Sequence, residues 1–134
     1  MSAEPRRYVL DSFALLAFLQ GETGMQRVKQ VLNTAERGEC RVNVSWINLG
    51  EVLYITERVK GLRQAWVVLA RLQALPIQLL GASSQVVLEA AHIKAHYAIA
   101  YADAFAVAAA LREDAVVLTG DPEMHPHTQS HSGL

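Results

Sequence analysis

The chain has 134 residues, a formal net charge of -1, 19% charged and 51% hydrophobic residues, and one cysteine. That length gives one domain with a real core, and the charge balance excludes a global basic field while leaving room for a local basic patch. No apolar run approaches the roughly 18 residues of a membrane span, Met1 to Arg7 lacks a signal-peptide core, and Cys40 has no partner for an internal disulfide, so a cytoplasmic protein with a structural cysteine is expected.

Tyr8 to Leu10 is a short apolar run between Arg6-Arg7 and Asp11-Ser12, and it reads as a buried strand. Ser12 can cap a helix that continues without Gly or Pro until Gly21. Asp11 then stands at the C-terminal end of a strand and beside a helix N-terminus, where open α/β sheets form their sites. The competing reading is a turn aspartate that only caps. After the turn-prone Gly21 to Gly24, Met25, Val28, Val31, Leu32 and Ala35 mark a second helix that stops before Gly38.

Arg41 to Val44 is a second strand, and Ser45 caps a third helix that runs to about Lys60 with Gly61 beyond it. Leu49, Val52, Leu53, Thr56 and Val59 form one stripe of that helix, and Ile47, Tyr54 and Ile55 form another. Glu51 lies within the second stripe. Buried there, its carboxylate needs a partner, a proton or a metal; the alternative is an exposed glutamate that reaches Arg58. Leu62 to Leu75 is a fourth helix with Trp66, Leu69 and Leu72 at core-like positions, ended by Pro76. Ile77 to Leu80 is a candidate strand, and Ser83-Ser84 opens a fifth helix to about His96. His92 and His96 have zinc-compatible spacing, but no HExxH pattern and no third ligand accompany them, so solvated histidines are expected.

Tyr101-Ala102-Asp103 opens an alanine-rich sixth helix through Arg112, suited to very close packing on a sheet. Ala115 to Leu118 is a buried strand that ends in Thr119-Gly120-Asp121-Pro122, so Asp121 repeats the setting of Asp11. Strands alternating with helices predict a parallel sheet covered on both faces. The polar, histidine-containing run 125–134 reads as a disordered tail.

Four carboxylates gathered at one sheet edge repel one another, and a divalent cation relieves that repulsion. All-oxygen ligation suits Mg²⁺ or Mn²⁺, and such an ion at a phosphodiester implies hydrolysis. No P-loop, dinucleotide fingerprint or Ser-His nucleophile system competes.

The order Tyr8-Val9-Leu10-Asp11-Ser12 with Ala14-Leu15-Leu16-Ala17, then Asn48-Leu49-Gly50-Glu51-Val52, then Ala102-Asp103-Ala104-Phe105 with Ala108-Ala109-Ala110, then Leu118-Thr119-Gly120-Asp121 resembles the PIN domain. Within that family it is most similar to the VapC toxins of VapBC toxin-antitoxin pairs. The resemblance implies a three-layer α/β/α fold with a short parallel sheet across residues 1–124, and a Mg²⁺- or Mn²⁺-dependent endoribonuclease. It also implies a homodimer held inactive by a cognate antitoxin. Carried over by position, Asp11, Glu51, Asp103 and Asp121 form the acidic metal-binding set, with Ser12, Asn48 and Thr119 as supporting polar residues. PIN domains usually add a short strand after the last acidic loop. Pro122, Pro126 and a polar run stand there instead, so the final edge strand is expected to be missing. A different class of function, a catalytically silent PIN-fold protein acting through partners, has the same sequence features. Arg58, Lys60 and Arg63 are candidates for phosphate contacts or, equally, a solvated hairpin end.

Overall fold

The structure is a computed structural model that describes residues 6–21 and 25–119. Among the described residues four parallel strands run in the order β3-β2-β1-β4: β1 is Arg6–Leu10, β2 Cys40–Ser45, β3 Gln78–Leu80 and β4 Val116–Leu118. Six helices accompany them among the described residues: α1 Ser12–Gln20, α2 Met25–Glu36, α3 Trp46–Lys60, α4 Leu62–Gln73, α5 Ser84–His96 and α6 Tyr101–Glu113. Register is fixed at β1, where Tyr8 pairs with both Val42 and Val116, and Leu10 pairs with Leu118.

Strand side chains alternate between the two faces, so neighbours in β1 join different cores. Tyr8 and Leu10 pack with Val42, Val44, Leu15, Val31, Leu49, Val52 and Leu72, which places α1 to α4 on one face. Val9 and Val117 pack with Ala90, Ile93, Phe105 and the α6 alanines, which places α5 and α6 on the other. The expected three-layer α/β/α architecture is therefore present. Every residue of α6 from Asp103 to Ala110 is buried. Alanine permits this, because small side chains on all faces let one helix touch the sheet, α3 and α5 together.

The helix ends follow local chemistry. Ser45 caps α3 by accepting from the Ile47 N–H at 3.1 Å, and Ser83 caps α5 by accepting from Val86. Gly61, at φ 92° and ψ 167°, joins α3 to α4 in a backbone region that essentially only glycine occupies.

Two sequence expectations change. Asp11, not Ser12, caps α1. Trp66 is not a core residue: it is 58% exposed, and α4 buries Ala65 and Leu72 instead. The second stripe of α3 is covered only in part, since Ile47 and Ile55 are half-buried and Tyr54 is exposed. Residues 22–24 and those after Thr119, including Asp121, the site of the expected missing strand and the 125–134 tail, lie outside the described residues.

Candidate functional site

The strand order reverses direction at β1, whose successor in sequence, β2, lies on one side and whose last partner, β4, lies on the other. In open parallel sheets the crevice at such a point, beyond the strands' C-terminal ends, is where ligands bind. Asp11 occupies it. It follows Leu10 in extended conformation, is fully buried, and its Oδ1 accepts from the Ala14 N–H at 2.8 Å. Its own N–H donates to the Leu118 carbonyl at 3.4 Å, so the carboxylate stands beside the exit of β4. Half-buried Thr119 is the next residue there.

Asn48 joins this edge to two further elements. It lies in the first turn of α3, and its Nδ2 donates both to Ser12 Oγ and to the Ala102 carbonyl, each at 3.1 Å. The Ser12 hydroxyl donates back to the Asn48 carbonyl at 3.2 Å. Ser12 follows Asp11 in the chain and Ala102 precedes Asp103, so one buried amide draws together the first turns of α1, α3 and α6. Asp103 is buried in the first turn of α6, where backbone dipoles favour a negative charge.

Glu51 is one helical turn beyond Asn48 and half-buried. Its Oε2 accepts from the Tyr54 hydroxyl at 3.4 Å, while Arg58 lies 4.9 Å from the Tyr54 ring centroid. The direct Glu51–Arg58 pair weighed from sequence is thus replaced by a ladder with the tyrosine between them. Glu51 Oε1 and Asn48 Oδ1 are both buried and have no hydrogen-bond partner among the described residues. Spacing of three puts both residues on one side of α3.

Among the described residues no three His, Cys, Asp or Glu side chains lie close enough to hold an ion by themselves. Mg²⁺ needs only one or two carboxylates and retains several waters. The buried carboxylates and the two acceptors lacking partners are hard oxygen donors, which fit such an ion. The histidine pair does not belong here. His92 and His96 are exposed on α5, their rings 4.5 Å apart. A groove of about 540 Å³ runs along α5 and α6. It is crossed by the Arg112–Glu89 ion pair at 2.9 Å and holds neither Asp11 nor Asp103.

Sequence reasoning missed two parts of this edge. The Ala102 carbonyl leaves no trace in residue identity. The Glu51–Tyr54–Arg58 ladder was legible as i, i+3, i+7 spacing on one helix.

Fold and site together define a class: a three-layer α/β/α domain with buried acids at the switch point of a short parallel sheet. The family model of the PIN domain matches residues 8–127, and the chain belongs to the PIN domain family. Among curated proteins none is significantly similar in sequence. Solved structures share the fold. A sarcin-ricin loop-cleaving VapC toxin of Mycobacterium tuberculosis superposes with TM-score 0.71 at 14% identity, over 89% of this chain and 93% of that one. The DNA-bound VapBC of Salmonella typhimurium gives 0.67 at 16% identity, over 90% and 91%. A VapBC of nontypeable Haemophilus influenzae gives 0.67 at 18% identity, over 92% and 93%.

Proposed function

We propose that this chain is a VapC-type toxin, a Mg²⁺- or Mn²⁺-dependent endoribonuclease whose PIN domain spans residues 1–124 and which acts in the cytoplasm. The observation that carries the reading is the Asn48 amide, which ties the neighbours of Asp11 and Asp103 together at the switch point of a PIN fold. Asp11 and Asp103 would hold the ion, with Glu51 and Asp121 completing the acidic set. When bound, such an ion polarises a phosphoryl oxygen and acidifies a water. The chain's own residues orient and exclude. The Ala14 N–H fixes the direction of the Asp11 carboxylate, and Glu51 Oε1 is an available acceptor for a hydrogen bond from water. Ser12, Asn48 and Thr119 hold the acids in place.

The partners proposed are RNA, a second copy of the chain and a cognate antitoxin. A groove of about 130 Å³ between α1, α3 and α4 is lined by Leu16, Ile55, Val59 and Val68, with Lys60 and Arg71 at the same groove. It suits an amphipathic helix that presents an acidic flank.

A second reading, a silent PIN-fold binding protein, draws on the absence of a three-acid cluster among the described residues. One experiment separates the two. Purified protein is expected to cut single-stranded RNA with Mg²⁺ or Mn²⁺, to stop in EDTA, and to lose cutting in folded Asp103→Ala and Glu51→Ala. Cutting that survives EDTA or Asp103→Ala overturns the enzyme reading.

A further inference from the structure

We propose that Phe13, Trp46 and Tyr101 form a collar on which bases of single-stranded RNA stack as the strand enters the acidic edge; this rests on the ribonuclease reading and names how that site grips its substrate. The three are exposed at 46%, 43% and 44%, although each is large and largely apolar. Their positions are related. Phe13 is the second residue of α1, Trp46 the first of α3 and Tyr101 the first of α6. Those are the three first turns that the Asn48 amide binds together through Ser12 and Ala102. Helical Cα–Cβ bonds tilt toward the N-terminus, so first-turn side chains overhang the edge where Asp11 and Asp103 are buried.

Electrostatics favours a stacking grip. A cation held by the acids would meet the phosphate at the centre, but a chain of net charge -1 offers no general attraction for the rest of the strand. Uncharged affinity must offset that, and aromatic stacking supplies it for any base whose face is free. Tyr101 is already restrained, its ring 5.1 Å from that of buried Phe105 at 69°, with no parallel partner in that contact. A helical protein partner would match apolar residues spaced along one helix. These rings come singly from the first turns of three different helices, an arrangement suited to splayed bases. Duplex RNA hides its base faces and would gain little.

The test uses the full chain carrying Trp66→Phe, which leaves Trp46 as the one tryptophan reporter of the two in the sequence. The probe is a single-stranded RNA of about eight nucleotides with its duplex as control, in the presence of Ca²⁺. Single-stranded RNA is expected to quench Trp46 and duplex to quench it much less. Phe13→Leu, Trp46→Leu and Tyr101→Leu, read by anisotropy of labelled RNA, should each weaken binding roughly ten-fold. Trp46→Phe and Tyr101→Phe should restore most of it. In cleavage assays the leucine variants should raise KM and leave kcat nearly unchanged. Leucine variants that bind like the parent, duplex that quenches equally, or a chain that binds no RNA overturns the collar. So does loss of self-association by light scattering with RNA binding intact, which would assign the rings to a second copy. Failure of the ribonuclease reading looks different: Trp46 is quenched and the leucine variants weaken binding, yet nothing is cut in Mg²⁺ or Mn²⁺.

Discussion

Asn48 and Ser12 hold each other twice: the amide Nδ2 donates to Ser12 Oγ at 3.1 Å, and that hydroxyl donates to the Asn48 carbonyl at 3.2 Å. Both residues are buried, so neither bond competes with bulk water. Asn48→Leu removes the amide bonds to Ser12 and Ala102 but keeps the backbone carbonyl for the Ser12 hydroxyl, and Ser12→Ala leaves Nδ2 with the Ala102 carbonyl alone. Asn48→Leu is expected to cost about 2 kcal/mol or more and Ser12→Ala about 1 kcal/mol, with a double-mutant coupling of about 1 kcal/mol. Urea melts of the four proteins measure this, and purely additive changes would count against the pair.

Asp11 combines a cap and a charge, and two substitutions separate them. Asparagine also caps well, so Asp11→Asn should fold with little loss, whereas Asp11→Ala should lose about 1 kcal/mol with the Ala14 bond. Saturating Mg²⁺ or Mn²⁺ should raise the melting temperature of the parent chain by mass action and that of Asp11→Asn far less. Equal shifts in differential scanning fluorimetry would argue against ion binding at this edge.

Cys40 is buried in the core, with its Sγ 3.4 Å from the Val31 carbonyl. Burial, and then the Glu39 carboxylate, push its thiol above the ordinary value. A raised folded value stabilises the protonated fold: that contribution is complete below the unfolded thiol's range and is lost as pH rises through the folded one. Between about pH 8 and pH 10 the parent should therefore lose more stability than Cys40→Ala. Alkylation by iodoacetamide should track global unfolding, and rapid labelling of the native protein would contradict the burial.

Asp114 ends α6 in the left-handed region, at φ 51° and ψ 54°, with its N–H donating to the Ala110 carbonyl. Asp114→Gly keeps the bond and removes the side-chain clash. A gain of about 0.5 to 1 kcal/mol is expected, visible as a higher melting temperature. Asp114→Val should move it the other way.

The sequence made the strands and most helix limits legible because apolar runs, Ser45 and Ser83 caps and glycine stops all act locally. It also placed Asp11 and Asp103 at strand and helix ends. Assigning the α1 cap failed because Asp and Ser cap equally well. What decided it was Asn48, 36 residues further on, which engages the serine hydroxyl. Trp66 failed for a related reason. Two helical stripes of α4 are apolar, and contact with α3 selects the one through Ala65 and Leu72. Asp121 matches the family pattern by position alone, since it lies outside the described residues.

The order β3-β2-β1-β4 makes the last described strand the neighbour of the first. Asp11 and the Leu118 carbonyl that receives its N–H are far apart in sequence, so docking β4 beside β1 closes a long loop. The crevice has one wall until that closure is made. A chain in which β1 and α1 have formed but β4 has not yet docked carries the first acid without the strand beside it, so whatever chemistry this edge performs waits on one of the least local contacts in the sheet.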